Sequence, residues 1–400
     1  MIRNASPVRT SLCGTYGAIL RKSDSVFVPQ RIGLFYGVPL TGRSVSHIAI
    51  SLGKALESFG RNIEYFSIDA SREILSGRNV HVLPRFVVRA MYKLGRNPLP
   101  LAERLVFCKR NLFDLLYLWP GTSPGFRSRL IRSGVPFIYE MINCAAVVRR
   151  EILTSMVRDE DLPPNGRVPE QSEVEAEAAL FSAAHAIFAP SSLVANSLLT
   201  AGVAREKIIS SSYGFSPDRI SYGATRDRGI RNFLFVGMDS WRKGLQTLLR
   251  AWHPAPRDCR LHLVGEIDPE MKQRFRVELA SDSVKCWGHC DNPDAVFRQC
   301  DAFVFPTFEE GSPLVVYESL AAGLPVITTA MGAGDIVTHE REGLIIPAGN
   351  SDALREAMLR LVESREIGAI MSLNAAQRSK AFTWDQVAER RNRQLISMGI

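Results

Sequence analysis

The 400-residue sequence predicts an α/β protein built as two doubly wound domains that face each other across a cleft. Three observations carry that expectation. From Arg31 onward, short apolar runs alternate with longer helix-periodic segments, the pattern of parallel strands joined by crossover helices. The runs fall into two series with a polar stretch between them. The chain also exceeds what one hydrophobic core serves, at about 150 residues per domain.

"RIGLFYG" (31–37) reads as the first strand and Val45 to Phe59 as the first helix, with further strands at 62–68, 113–118, 135–142, 185–190 and 207–211. "SPDRISYGATRDRGIRN" (216–232) is rich in Gly, Ser, Asp and Arg and poor in apolar periodicity, which marks a linker. The second series runs through "NFLFVG" (232–237), "RLHLVG" (260–265), "SVKCWG" (283–288), "DAFVFP" (301–306), "LPVITT" (324–329) and "GLIIP" (343–347). The expected organisation is a flexible leader over 1–29, a first domain over 30–221, a linker over 222–231, a second domain over 232–378 and a closing helical segment over 379–400. Most runs of the second series end in Gly or Pro, so the chain turns sharply at the carboxyl ends of the strands. Open parallel sheets bind their ligands there, and a cleft between two such sheets can enclose a large substrate.

Composition bounds the function. Hydrophobic residues at 46% and charged residues at 22% exclude a disordered or fibrous chain. A formal charge of +8 predicts attraction to polyanions without naming one, and no nucleic-acid partner is expected. Seven scattered cysteines suit a reducing compartment. "CWGHC" groups Cys286, His289 and Cys290 at a spacing that matches no strong zinc pattern, and Cys286 is expected in a buried strand. "SLCGTYGAIL" is too broken for a signal core, and no run approaches 18 uncharged apolar residues, so a cytoplasmic protein is expected. Residues 85–110 interleave Arg85, Arg89, Lys93, Arg96, Arg104, Lys109 and Arg110 with Phe86, Tyr92, Leu94 and Phe107. Such a segment suits peripheral contact with an anionic membrane at its inner face; the alternative is a solvated surface helix.

Two stretches carry candidate chemistry. In "VGMDSWRKGLQTLLRAW", Arg242 and Lys243 stand where a helix begins, and two cations on the positive end of a helix dipole call for an anion. In "EEGSPLVVYE", Ser312 and Pro313 read as a helix start with a hydroxyl cap and proline at the first position. The free N–H groups at that end can receive an anion. Glu318 is the one charge in "LVVYESLAA", so its carboxylate needs buried donors, either a protein arginine or sugar hydroxyls. "DED" at 159–161 reads as a surface loop beside Pro163 rather than a magnesium site.

Glu310 and Glu318 form E-x7-E within "PTFEEGSPLVVYESLAAGLPVITT", which resembles the donor-site signature of the family 4 retaining glycosyltransferases of GT-B fold. "FVGMDSWRKG" is similar to that family's glycine-then-Lys-Gly loop. "FAPSSLVANSLLTAGVAREKIISSSYGF" and "GDIVTHEREGLIIPAGN" are similar to its flanking segments, and "AFTWDQVAERRNRQLI" to its closing helix. The likeness covers about residues 31–378, strongly in the second half. It implies two Rossmann-like domains and a nucleotide-sugar donor whose diphosphate is held by Lys243 and Arg242 and whose ribose is held by Glu318. It further implies that Glu310 contacts the transferring sugar, with Gly311, Ser312, Leu314 and Val315 supplying the loop and helix N-terminus and Gly42, beside Arg43, the first-domain side. Phe382 and Trp384 become packing residues. These cations and N–H groups take the place of a metal, and no cofactor is expected.

Three departures from the family pattern stand out. Met238 occupies a position where relatives carry arginine, so Arg242 is expected to substitute; Pro313 replaces a glycine; and "NCAAVV" lacks the histidine that often follows the strand "VPFIYEMIN". His47 is the available histidine near the first loop, with a structural role as the alternative. The resulting expectation is a metal-independent retaining glycosyltransferase that moves a sugar from a nucleotide-sugar to a saccharide or lipid-linked acceptor in polysaccharide or glycoconjugate synthesis. A nucleotide-sugar epimerase or phosphorylase of the same fold and a non-catalytic nucleotide-sugar-binding protein are the rival readings. A nicotinamide enzyme is excluded, because no strand is followed by G-x-G-x-x-G.

Overall fold

A computed structural model describes residues 30–41, 44–71, 74, 78–163, 167–223, 229–238, 240–290 and 293–399. The expected leader, Gly42, Arg43 and residues 224–228 of the expected linker lie outside the described residues.

Each apolar run becomes a strand because a doubly wound sheet covers both faces, so its strands need no polar side. The first sheet comprises β1 (Arg31–Phe35), β2 (Asn62–Phe66), β3 (Asn79–His81), β4 (Leu115–Leu118), β5 (Phe137–Glu140), β6 (Ala186–Ala189) and β7 (Ile208–Ser210), in the order β3-β2-β1-β4-β5-β6-β7. The second comprises β8 (Asn232–Val236), β9 (Arg260–Val264), β10 (Val284–Gly288), β11 (Ala302–Phe305), β12 (Val326–Thr329) and β13 (Gly343–Ile346), in the order β10-β9-β8-β11-β12-β13. Every neighbouring pair is parallel. The strand order reverses at β1/β4 in the first sheet and at β8/β11 in the second, which are the switch points where such sheets open a crevice.

Two local expectations change. Strand β3 has no apolar run and sits at the sheet edge; Asn79 and His81 donate to the Glu64 carboxylate at 3.1 and 2.7 Å, so side-chain bonds rather than apolar burial hold it. Cys286 is exposed rather than buried, because β10 is an edge strand of the second sheet.

The closing helix Trp384–Ser397 packs on Ser44–Ser58 and carries one charge into the first core. Arg391 is 1% exposed and Glu140, at the end of β5, is fully buried. The guanidinium donates to both carboxylate oxygens at 2.7 and 3.0 Å, to Tyr117 Oη at 2.7 Å and to the Ser212 carbonyl at 3.1 Å. Burial disfavours the charged arginine, but Glu140 overcomes that and holds its pKa above the ordinary value. Removing one member strands the other charge. Arg391→Met is therefore expected to lower the unfolding free energy in urea by about 3–5 kcal/mol, with much of that loss recovered when Glu140→Gln is added.

Candidate functional site

The loops after β8 and β11 meet because their strands are neighbours. Trp241, 1% exposed, anchors the first loop. The Arg242 carbonyl accepts from the Phe308 N–H at 2.9 Å and from Thr307 Oγ1 at 3.1 Å, which joins that loop to the second. Gly244 has φ +77° and approaches so closely that a Cβ would lie 2.0 Å from the Pro306 carbonyl oxygen. Only glycine allows both the left-handed backbone and the contact.

Arg242 and Lys243 converge on Glu310. Arg242 Nη1 is 3.1 Å and Lys243 Nζ 3.3 Å from Glu310 Oε1. That oxygen is buried, and the two cations are its partners at ion-pair distance. Burial pushes the Glu310 carboxyl up, but Lys243 and Arg242 outweigh it and hold its pKa below the ordinary value. Lys243 also lies over the Phe305 ring, 5.2 Å from its centre.

The next helix is Leu314–Ala321, one residue later than the sequence suggests: Pro313 sits at the cap position and makes no side-chain cap bond. Ser312 does not cap because its hydroxyl is committed to Tyr317 Oη at 2.6 Å, and Tyr317 in turn accepts the Tyr213 N–H at 3.0 Å. The N–H groups of Leu314 and Val315 stand in the first turn, where no intrahelical acceptor exists. One turn on, Glu318 is 6% exposed and its Oε1 lies 3.0 Å from Nε of Arg219. The arginine partner is thus present, and burial, partly offset by Arg219, raises the Glu318 pKa.

These groups line a cavity of about 340 Å³: Arg242, Lys243, Glu310, Ser312, Leu314, Val315 and Glu318 on one side, with His47, Asn143 and Tyr213 from the first domain opposite. Gly311 stands apart from the lining. A Cβ on it would meet the Ile142 carbonyl oxygen at 2.1 Å, and its own carbonyl accepts from Ser191 Oγ at 2.7 Å, so it is where the domains touch. Met238 is 58% exposed and is not among the lining residues. His47 faces the Trp384 ring at 5.9 Å, and burial, with Arg219 and Lys54 adding to it, pulls its pKa down to about 4. Phe382 and Trp384 are buried, and Phe382 packs edge-on against Tyr317 at 5.3 Å.

Residues 230–364 match the family described as Glycosyl transferases group 1. This segment belongs to that family. Over 167 residues the chain is 29% identical to a phosphatidyl-myo-inositol mannosyltransferase of Mycobacterium leprae, covering 40% of this chain and 44% of that protein. The chain spans under half the length of the curated relatives it matches first. Solved structures extend the likeness over 92% of the chain. Sucrose-phosphate synthase from Thermosynechococcus elongatus superposes with TM-score 0.72 at 20% identity over 99% of its chain. Anabaena HepE in complex with UDP and glucose superposes with TM-score 0.69 at 16% identity over its whole chain. The two-sheet architecture is the GT-B fold of these neighbours.

Several residues of the site escaped sequence reasoning. Glu309 is fully buried; its Oε1 accepts the Cys144 N–H at 3.0 Å and its Oε2 accepts from Asn143 Nδ2 at 3.2 Å, both from the first domain. These partners lie in the stretch "NCAAVV". "DED" also differs from its expected surface loop: Glu160 is 5% exposed and grips both terminal nitrogens of Arg250 at 2.7 and 2.6 Å across the domains.

Burial pushes the Glu309 carboxyl up to about 7; Arg242 opposes the shift and Glu310 adds to it. Since the folded pKa exceeds the ordinary 4.5, protonated Glu309 contributes stability that is complete below about pH 4.5 and lost as pH rises through about 7. Relative to Glu309→Gln, wild-type stability measured by urea unfolding is expected to fall between those pH values by up to about 3 kcal/mol. An unchanged difference would show that the carboxylate is already compensated.

Proposed function

We propose that the chain is a retaining glycosyltransferase that moves a sugar from a nucleotide-sugar donor to a saccharide or lipid-linked acceptor in polysaccharide or glycoconjugate synthesis. The observation that carries this reading is the convergence of Arg242 and Lys243 on Glu310 at the β8/β11 switch point, beside the first turn of Leu314–Ala321. Departure of a nucleoside diphosphate builds negative charge, which fixed cations and free N–H groups stabilise without reorganising. Glu310 accepts from a hydroxyl of the transferring sugar near the anomeric carbon. Glu318 accepts the ribose hydroxyls.

The acceptor enters past Asn143 and Arg242, where a second cavity of about 550 Å³ opens between Arg149, Arg167 and Trp241. The Mycobacterium relative is named a phosphatidyl-myo-inositol mannosyltransferase and the HepE structure holds UDP and glucose, which favours a nucleotide-sugar donor and leaves room for a lipid-borne acceptor.

Thermal-shift screening against UDP-, GDP- and ADP-sugars identifies the donor. With that donor, Glu310→Ala and Lys243→Ala are each expected to lower kcat/KM by at least about 100-fold with the far-ultraviolet dichroism unchanged. Wild-type activity in both variants overturns the assignment.

We assign the chain to the cytoplasmic face of an anionic membrane, as a peripheral protein. No helix among the described residues is long and apolar enough to cross a membrane. The helix Arg85–Lys93 and the turn after it expose Phe86 at 75%, Tyr92 at 56% and Leu94 at 72% beside exposed Arg89, Lys93 and Arg96. An apolar fringe on a basic face suits the headgroup boundary. Co-sedimentation with anionic vesicles is expected, weakening with salt and with Phe86→Ala and Tyr92→Ala together; equal recovery with neutral vesicles counts against the idea.

A further inference from the structure

Among the described residues, Arg219 is the one cation on the donor cavity that lies in the connection between the two sheets, after β7 and before β8. Its backbone is held: the N–H donates to the Ser216 carbonyl at 3.0 Å, and the adjacent Ile220 is fully buried. Its side chain is not, at 40% exposure, whereas Glu318 opposite is 8% exposed. The pair is therefore asymmetric, a fixed buried acid and a long, partly solvated base reaching in from the rim.

The two carboxylates of the cavity are satisfied differently. Glu310 has two cations, Arg242 and Lys243, and Glu318 has Arg219 alone at ion-pair distance among the described residues. If ribose hydroxyls donate to Glu318, they replace Arg219 as the source of its hydrogen bonds. Glu318, which holds the guanidinium, lies three to four residues along the helix from Val315 and Leu314, a rise of about 5–6 Å, so their N–H groups open onto the same cavity as Arg219.

Resting on the donor reading above, we infer that Arg219 is a substrate-binding residue that is stored on Glu318 while the cavity is empty and transfers to the diphosphate of the donor when the ribose takes over Glu318. Donor binding then exchanges one ion pair for another instead of adding a cation. Bidentate guanidinium geometry suits phosphate oxygens, and the exchange couples occupancy of the cavity to the segment that joins the sheets.

Two opposite effects separate this role from a structural one. UDP, GDP and ADP are titrated by calorimetry, and uridine, guanosine and adenosine by saturation-transfer NMR, against wild type and Arg219→Ala. Affinity for the diphosphate is expected to fall about tenfold, while the matching nucleoside binds no more weakly than before, because its competitor for Glu318 is gone. Arg219→Ala leaves a buried carboxylate unpaired, so the same comparison is made between Glu318→Gln and Glu318→Gln, Arg219→Ala, where no buried charge remains. Loss of diphosphate affinity on removing Arg219 in that background supports the transfer. Unchanged diphosphate affinity there, or an equal loss for diphosphate and nucleoside, overturns it while leaving the donor reading intact. Failure of the wild type to bind any of the three diphosphates overturns both.

Discussion

The Glu309 carboxylate touches no water, and the N–H donors nearest it belong to the other domain. A buried ion without partners costs several kcal/mol, so Asn143 and Cys144 cannot leave without exposing or protonating the acid. The same constraint recurs at each place where the chain crosses between its halves. Glu140 holds Arg391 of the closing helix, and Glu160 holds Arg250 of the helix that follows the donor loop. A solvent-exposed acid adds a further tie: Asp335, in a left-handed conformation at φ +64°, accepts the N–H and hydroxyl of Ser192 at 2.5 and 2.6 Å.

From that anchoring the site follows in two residues. Glu309, Glu310 and Gly311 lie outside helices and strands, and each meets a different partner. Glu309 faces the first domain, Glu310 faces the cations, and Gly311 lets the strand of chain lie against the Ile142 carbonyl. A side chain at 311 would hold the domains apart and turn Glu310 away from Arg242. The Glu-Glu-Gly triplet therefore joins an interdomain tie to a donor-site acid with nothing between them.

This division of labour explains what the sequence could and could not show. The two sheets were legible because buried parallel strands are mostly apolar, as in β4, β6 and β11. Strand β3 was not, since its bonds run from polar side chains at an edge. The cluster of Arg242, Lys243 and Glu310 was legible because each belongs to a short strand-loop-helix unit whose local geometry aims it at the switch point. Nothing local distinguishes Glu309 from Glu310, whose roles diverge only when Asn143, 166 positions away, arrives. Glu318 shows the same limit: its isolation in an apolar helix revealed the need for a donor, while Arg219, in a segment with no periodic pattern, supplied it. Ser312 illustrates a third kind, where a plausible local bond lost to a tertiary one with Tyr317.

The carboxylates beside the cations look ill suited to an anion-binding cavity, yet the empty cavity requires them. Arg219, Arg242 and Lys243 share one space of about 340 Å³, and three like charges partly screened from water would push the loops apart. Glu310 and Glu318 hold them in place. The lowered pKa of Glu310 shows the cations winning over desolvation, so its acid stays ionised and keeps them aimed inward. On the donor reading proposed above, an incoming diphosphate competes with carboxylates for cations already in position, and each carboxylate it displaces becomes an acceptor for a hydroxyl of the same ligand. A bare inorganic diphosphate would take the cations but leave both acids unsatisfied, so the arrangement favours a ligand that carries hydroxyls on either side of its phosphates.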